Sequence, residues 1–228
     1  MTEFRLAVPA PAGTEVGARI DGPTPATRLL VLGHGAGAGM RHPFMDGLTE
    51  RLAALGTTVL RYQFPYMERG AKRPDRQPVL RATVAAAIRA AHERASGARV
   101  WAGGKSMGGR MTSLAASAGE LAPVRGVVFV GFPLHAAGRP GEERAEHLAA
   151  VDVPMLFLQG TRDALAELPR IVRVCASLGT RAELHVVPDA DHGFHVRLRE
   201  TGKRDADVLD ELASVIDARM QRDAAATA

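Results

Sequence analysis

Short apolar segments alternate with segments of helical periodicity along most of this chain, and this order restricts the folds open to it. The apolar segments are five or six residues long, and several are apolar without interruption, as expected for strands buried on both faces. A strand-to-helix order that repeats along the chain predicts a parallel sheet with helices on both sides. The predicted strands are Leu29–Gly33, Thr57–Tyr62, Arg99–Gly103, Gly126–Val130, Met155–Gln159 and Glu183–Val187.

Three of the intervening segments place apolar residues on one face of a helix. A spacing of three or four residues between apolar positions is typical of an amphipathic helix that packs on a sheet. The three faces are Phe44, Leu48, Leu52 and Leu55; Leu80, Val84, Ala87, Ile88 and Ala91; and Val208, Leu212, Val215 and Ile216. The fold class that follows is α/β, with a mostly parallel central sheet.

The length of 228 residues fits one domain with one core. We expect this core over about residues 28–219, because no linker or internal repeat divides the chain. Proline and glycine are frequent before it, which predicts an irregular N-terminal segment over 1–25 with room for a strand or hairpin. The alanine-rich end predicts a frayed tail over 221–228.

The charge pattern argues against nucleic acid as a partner. The chain has 29 lysines and arginines against 25 acidic residues, and the basic residues are spread out rather than collected into a stripe. One local exception is the basic run 61–81, which holds six basic and two acidic residues. Such a run is commonly a solvated face, although it could also draw an anionic substrate toward a nearby site.

Cysteine content and hydropathy bear on metals and location. Cys175 is the only cysteine, so the chain can form no internal disulfide and no thiolate cluster for a metal. No stretch approaches the roughly 18 apolar residues of a membrane span. The first residues lack the apolar region of a secretory signal. We therefore expect a cytoplasmic protein without a metal site and without a membrane partner.

The strongest sign of chemistry is the G-x-S-x-G sequence at 104–108, between a predicted strand and a predicted helix. A serine on so sharp a turn is held in a strained conformation, and its neighbours must be small because strand and helix pass close together. The helix N-terminus and the Met107 N–H would favour negative charge beside Ser106. A plain tight turn is the alternative. A phosphate-binding loop is excluded, because its first glycine would fall on Arg99.

An acid and a base follow Ser106 in the order that this kind of sheet requires. Asp163 lies just past a predicted strand, 57 residues after Ser106, and His192 lies in the loop after the next strand, 29 residues further on. Because parallel strands end at one edge of the sheet, the three side chains can meet there. We predict that Ser106 is a nucleophile, His192 its base and Asp163 the acid that orients the base.

Nearby residues offer alternatives to the assigned acid and base. Asp163 could instead cap the helix that follows it, which is a common role for aspartate. His195 is a rival base, and Asp189 and Asp191 are rival acids. His185 lies inside a predicted strand, which makes it a poor candidate.

The first predicted strand ends in a glycine-rich loop over 33–39. Backbone N–H groups in such a loop can approach a ligand without interference from side chains. We assign one oxyanion donor to the Met107 N–H and the second to the Ala36 N–H, with Gly37 as an alternative. The loop also loosely fits a dinucleotide-binding motif, which would make the protein an oxidoreductase. That interpretation gives Ser106 no role, so we predict no cofactor.

Taken together, these motifs resemble the α/β-hydrolase superfamily. More narrowly, they resemble the small dienelactone-hydrolase-like family that also contains testis-expressed proteins and a subunit of a histone-acetyltransferase complex. The resemblance extends from about residue 28 to about residue 219 and implies an α/β-hydrolase fold with a Ser106, Asp163 and His192 triad. Dienelactone hydrolases proper use a cysteine nucleophile, so their substrate does not carry over. The matching segments are HGAGAG (34–39), FPY (64–66), GKSMGGR (104–110), FPLH (132–135), QGTRD (159–163) and DHGF (191–194).

The resemblance implies a serine hydrolase that acts on an ester or thioester through a covalent acyl-enzyme. Only 19 residues run from Pro133 to Val151, where large caps are usually inserted, so we expect no large cap and an open site. A small, soluble acyl substrate fits this better than the substrate of an interfacial lipase, and the basic run would favour an anionic one. The alternative is a catalytically silent protein-interaction module on the same fold. Residues expected at the substrate site are His34, Gly35, Gly37, Tyr66, Phe132, His135 and Phe194.

Overall fold

An eight-stranded sheet forms the centre of the protein, which the computed structural model describes over residues 1–9 and 13–225. Its strands are β1 (Thr2–Val8), β2 (Thr14–Asp21), β3 (Arg28–Gly33), β4 (Thr58–Tyr62), β5 (Arg99–Lys105), β6 (Val127–Val130), β7 (Met155–Gly160) and β8 (Ala182–Val187). The spatial order is β1-β2-β4-β3-β5-β6-β7-β8. The β1–β2 and β2–β4 pairs are antiparallel, and every later pair is parallel. The parallel strands therefore all end at the same edge of the sheet.

Helices cover both faces of this sheet. They are α1 (Pro43–Ala54), α2 (Pro65–Glu68), α3 (Gln77–Arg94), α4 (Met107–Ser117), α5 (Leu168–Ser177), α6 (Leu198–Thr201) and α7 (Asp205–Ala225), with 3₁₀ helices at Glu143–Ala150 and Gly179–Arg181. Alternate residues of β3 face opposite ways: Leu30 and Leu32 pack with α1 and α7, whereas Leu29 and Val31 pack with α3. Each of these β3 side chains is at most 1% exposed, so the strand is buried on both faces.

The sequence prediction of the fold class is confirmed. Each predicted strand is present with ends within two residues of the prediction, and the three predicted apolar faces lie on α1, α3 and α7. The exception is Leu55, which follows α1 as its C-cap and is 42% exposed, so it does not belong to the packed face. Between β6 and β7, all of which is described, the chain forms one short 3₁₀ helix and no large cap. The edge at which the parallel strands end is therefore left open above the sheet.

The N-terminal segment is more regular than its proline and glycine content predicts. Over the described residues 1–9 and 13–25, β1 and β2 form an antiparallel hairpin, and β2 continues the sheet beside β4. Leu6, Val8, Val16 and Ala18 point to the buried side at a spacing of two, which accounts for the pairing. The strand or hairpin that the sequence left room for is therefore present, in regular rather than irregular form.

The chain end also differs from its prediction. Helix α7 continues to Ala225 through most of the tail predicted to be frayed, and Met220, the residue directly before that tail, is buried. Residues 226–228 lie outside the described residues. None of the helices that the structure describes is long and apolar enough to cross a membrane.

Candidate active site

Ser106 occupies a strained turn between β5 and α4. Its φ of 51° and ψ of −112° place a non-glycine residue at positive φ, which costs of order 1–3 kcal/mol and is concentrated at functional sites. A Cβ on Gly104 would lie 2.4 Å from the Gly33 carbonyl oxygen, and a Cβ on Gly108 would lie 2.3 Å from the same atom. Glycine is required at both positions, because the strand and the helix touch here through their backbones.

The structure brings the predicted nucleophile, base and acid together. The Ser106 Oγ lies 2.8 Å from Nε2 of His192, and Nδ1 of His192 lies 2.7 Å from Oδ2 of Asp163. A carboxylate only accepts hydrogen bonds, so Nδ1 carries the proton and Nε2 is free to accept one from the serine. Asp163 is 3% exposed, whereas the His192 side chain is 26% exposed at the open edge.

The rival residues are engaged elsewhere. Nδ1 of His195 lies 2.6 Å from Oδ2 of Asp205. Asp189 forms ion pairs with Arg197 and Arg162, and both hold its pKa down at about 2. Oδ1 of Asp191 accepts from two backbone N–H groups of its own turn. Nε2 of His185 lies 2.7 Å from a carboxylate oxygen of Glu211, a residue of α7.

Asp163 is held by two further donors. The Gln159 Nε2 donates to Oδ2 at 2.5 Å, and the Leu165 N–H donates to Oδ1 at 2.8 Å. The second bond closes a turn, while α5 begins only at Leu168, so Asp163 orients His192 and stabilises its own loop at once. Gln159 is fully buried and also accepts from the Phe132 N–H. Sequence reasoning missed it, although a glutamine at the end of an apolar strand is a usable signal.

A buried histidine, His34, holds the glycine-rich loop from its inner side. Nδ1 of His34 donates to the Gly35 carbonyl at 2.8 Å, and the Phe64 N–H donates to Nε2 at 3.0 Å. Burial lowers the pKa of His34 to about 4, so the ring is neutral at pH 7. The Gly35 carbonyl shares its peptide group with the Ala36 N–H, and in a trans peptide the two point in opposite directions. The Tyr66 hydroxyl donates to the next carbonyl, that of Ala36.

The two predicted oxyanion donors, the N–H groups of Ala36 and Met107, lie in the glycine-rich loop and at the start of α4. Ala36 lines the cleft beside Ser106, and no hydrogen bond among the described residues occupies its N–H. Met107 is the first residue of α4, a position whose N–H has no acceptor within its own helix. Both groups are therefore available to a ligand next to Ser106.

A cleft of about 660 Å³ opens at this edge of the sheet. Gly35, Gly37 and Phe194, which are among the residues expected at the substrate site, line it. Its apolar wall was not predicted and comes from α1 and α7. That wall consists of Pro43, Phe44, Met45 and Leu209. Sequence analysis predicted the helices that begin near Phe44 and Val208 but could not tell that these helix ends would reach the cleft.

Four of the predicted substrate contacts do not lie at the cleft. His34, Tyr66, Phe132 and His135 are each at most 1% exposed and are absent from its lining, so the prediction is corrected for them. His34 and Tyr66 hold the glycine-rich loop from its inner side. Phe132 packs against aromatic rings of the core, and Nε2 of His135 lies 3.0 Å from a Glu167 carboxylate oxygen. Their loops begin at the edge of the sheet but turn inward.

The basic run 61–81 is not one continuous face. Arg61 is buried within β4, where its guanidinium pairs with Asp46 at 2.5 Å and with Asp21 at 3.2 Å. Arg69 and Arg81 are also paired with carboxylates. The remaining basic residues of the run are Lys72, Arg73 and Arg76. Within the part of the chain that the structure describes, no group of three His, Cys, Asp or Glu side chains is placed to hold a metal ion.

This sheet order, with a serine turn after β5 and an acid and a histidine after β7 and β8, defines an α/β hydrolase. The chain belongs to the family described as the alpha/beta hydrolase domain, which it matches over residues 26–221.

Solved structures with this fold cover nearly the whole chain. A serine hydrolase homologue from Coxiella burnetii is 20% identical, with a TM-score of 0.71 and coverage of 92% of this chain and 96% of that one. A dienelactone hydrolase from Anabaena variabilis is 21% identical, with a TM-score of 0.71 and coverage of 95% of both chains. A serine hydrolase without a lid from Xanthomonas campestris is 19% identical, with a TM-score of 0.72 and coverage of 97% and 94%. These likenesses show the fold.

Proposed function

We propose that this protein is a serine hydrolase that cleaves a small acyl ester or thioester through a covalent acyl-enzyme. The observation that carries the proposal is the chain of hydrogen bonds from Ser106 through His192 to Asp163, at 2.8 Å and 2.7 Å. A nucleophile in contact with a base, and a base in contact with a buried acid, is the arrangement that acyl transfer requires.

In this mechanism the Ser106 Oγ attacks the acyl carbonyl carbon while its proton passes to Nε2 of His192. Asp163 retains the hydrogen bond to Nδ1 and stabilises the imidazolium that forms. The negative charge on the former carbonyl oxygen is met by the N–H groups of Ala36 and Met107. The tetrahedral intermediate then expels the alcohol or thiol, which takes the proton from His192. A water molecule then attacks the acyl-enzyme in the same way, with His192 as the base, and releases the carboxylic acid and free Ser106.

The cleft supports a substrate with an apolar acyl group. Its wall of Pro43, Phe44, Met45 and Leu209 offers apolar surface within reach of Ser106, and its volume of about 660 Å³ suits a small molecule. The short segment between β6 and β7 leaves the cleft open, which favours a soluble substrate over a lipid aggregate. We expect rates on p-nitrophenyl esters to rise with acyl length to about that of a medium chain.

The proposal is tested by labelling the purified protein with a fluorophosphonate probe, which reacts with activated serines. We expect labelling of the wild-type protein and its loss in both Ser106→Ala and His192→Ala. Labelling of Ser106→Ala at the wild-type level would place the reactive serine elsewhere. No labelling of the folded wild-type protein would favour a protein-interaction module on the same fold.

A further inference from the structure

Lys105 links the strand that carries the nucleophile to the loop that carries the base. It is the last residue of β5 and precedes Ser106 directly, and its Nζ donates to the backbone carbonyl of His192 at 2.5 Å. We propose, resting on the function proposed above, that Lys105 is a positioning residue that sets the distance between Ser106 and His192. The strand end that fixes the serine would thereby also fix the histidine.

The loop that carries His192 needs such support because its backbone is strained. Phe194 has a φ of 66°, which is unfavourable for a bulky residue. Asp191 closes the loop internally by accepting from the N–H groups of Gly193 and His195 at 2.8 Å and 3.0 Å. Those bonds do not connect the loop to the sheet. Arg162 connects it to the strand of the acid, through the His195 carbonyl at 3.2 Å, and Lys105 connects it to the strand of the nucleophile.

The ammonium group also contacts the strained residue itself. Nζ of Lys105 lies 5.4 Å from the ring centroid of Phe194 and 5.9 Å from that of Phe44, within the range of a cation–π interaction. A Cβ on Gly131 would approach Nζ to 3.2 Å, so the absence of a side chain there leaves room for the ammonium. Lys105 therefore holds both the carbonyl of His192 and the ring two residues later.

The ammonium of Lys105 is partly buried at the wall of the cleft, and the cost of desolvating it argues that its charge and donors are needed. Desolvation lowers the pKa of Lys105 to about 8, against the opposing effect of the Asp163 and Asp191 carboxylates. His192 and His195 are the imidazoles on the same loop. A methionine would fill a similar volume without the desolvation cost, yet it could not donate to the His192 carbonyl. The hydrogen bond is the interaction that distinguishes lysine from an apolar side chain here.

Loss of this hydrogen bond should affect the reaction step more than substrate binding. A misplacement of about 1 Å in a catalytic group can cost roughly 10²-fold in rate. For Lys105→Met we expect kcat to fall by roughly 10- to 100-fold and KM for a neutral ester to stay within about twofold. Lys105→Arg keeps a charged donor and should recover much of the loss. Lys203→Met is the matched control, because it removes an exposed lysine that does not line the cleft.

The experiment measures kcat and KM for p-nitrophenyl butyrate, and the rate constant of fluorophosphonate labelling, in these four proteins. The proposal is supported when kcat and the labelling rate fall together in Lys105→Met, recover in Lys105→Arg and stay unchanged in Lys203→Met. It is overturned when Lys105→Met keeps the wild-type kcat, or when only its KM rises. A wild-type protein that is not labelled at Ser106 contradicts the proposed function instead.

Circular dichroism and thermal unfolding show whether each variant is folded. Should Lys105→Met fail to fold, Lys105→Gln takes its place, because its shorter amide can fill part of the space but lacks the charge and the reach. The same loss of kcat at unchanged KM then supports the proposal. Failure of both variants to fold overturns it, since Lys105 would then be needed for the fold and not for the geometry of the site.

Discussion

The Gln159 amide and the Asp163 carboxylate are joined by a hydrogen bond of 2.5 Å, to the same Oδ2 that accepts from His192. Gln159 is the second last residue of β7, and its Oε1 accepts from the N–H of Phe132, two residues after the end of the neighbouring strand β6. The acid is therefore oriented by a residue that is itself held by the sheet. Gln159 therefore helps to hold the Asp163 carboxylate in position beside His192.

Replacement of Gln159 by methionine should slow the reaction. It removes a donor from Asp163 and leaves the buried Phe132 N–H without its acceptor. A hydrogen bond to a charged group contributes about 1.5–3 kcal/mol, so we expect kcat to fall roughly 10- to 100-fold. The matched control is Gln221→Met, which breaks a Gln221–Asp217 bond of equal length on α7. Steady-state kinetics that give Gln159→Met the wild-type kcat would contradict this role.

Gly108→Ala should destabilise the protein by several kcal/mol or prevent folding. The added Cβ would lie 2.3 Å and 2.5 Å from the carbonyl oxygen and carbon of Gly33, and backbone atoms in a sheet cannot move aside. Gly37→Ala is the control for stability alone, because its Cβ would meet nothing within 4 Å. Urea unfolding followed by circular dichroism measures the difference. Equal stability of the two variants would show that the close contact at the turn is absent.

His192 and His195 should differ sharply as bases. His192 contacts both Ser106 and Asp163, so His192→Asn should lower kcat by at least about 10⁴-fold. The ring of His195 pairs with Asp205 instead, so His195→Asn should lower kcat by less than about tenfold. Esterase assays with active-site titration make the comparison. A larger loss in His195→Asn would reverse the assignment of the base.

Stability should fall as the pH drops below the pKa of an unfolded histidine. The pKa of His34 is about 4 in the folded protein and 6.5 without burial. Between these values the unfolded chain binds a proton that the folded protein does not, so unfolding becomes easier by about 1.4 kcal/mol per pH unit from this group. Urea unfolding at pH 7, 6 and 5 should give a smaller slope for His34→Asn than for the wild type. Equal slopes would mean that His34 titrates normally.

The exposed part of the basic run should raise kcat/KM for anionic esters. Once the paired arginines are set aside, the exposed basic residues of the run are Lys72, Arg73 and Arg76. Their attraction for an anion is screened by salt over about 10 Å at 0.1 M. We therefore expect kcat/KM for an acidic ester to fall more steeply with added salt than that for a neutral ester of equal length. The variant with all three replaced by alanine should remove this difference. Equal salt dependence in the wild-type protein would exclude such steering.

The amino-acid sequence alone was sufficient to predict the alternation of strands and helices, the turn at Ser106 and the order of Asp163 and His192. These features are local or periodic. Continuous apolar runs report burial on both faces, glycines report close backbone contacts, and parallel strands bring their ends to one edge whatever the loops do. The chain order of the three residues follows from this topology.

Only the tertiary structure decided which side chains surround that edge. His34, Tyr66, Phe132 and His135 turn inward, although each lies just after a strand. The apolar wall comes from α1 and α7, and the hydrogen bonds of Gln159 and Lys105 join residues that are far apart in the chain or on different strands. The direction of a loop side chain depends on packing against distant segments. Periodicity and spacing contain no information about such contacts, so they emerge only when the sheet and its helices are assembled.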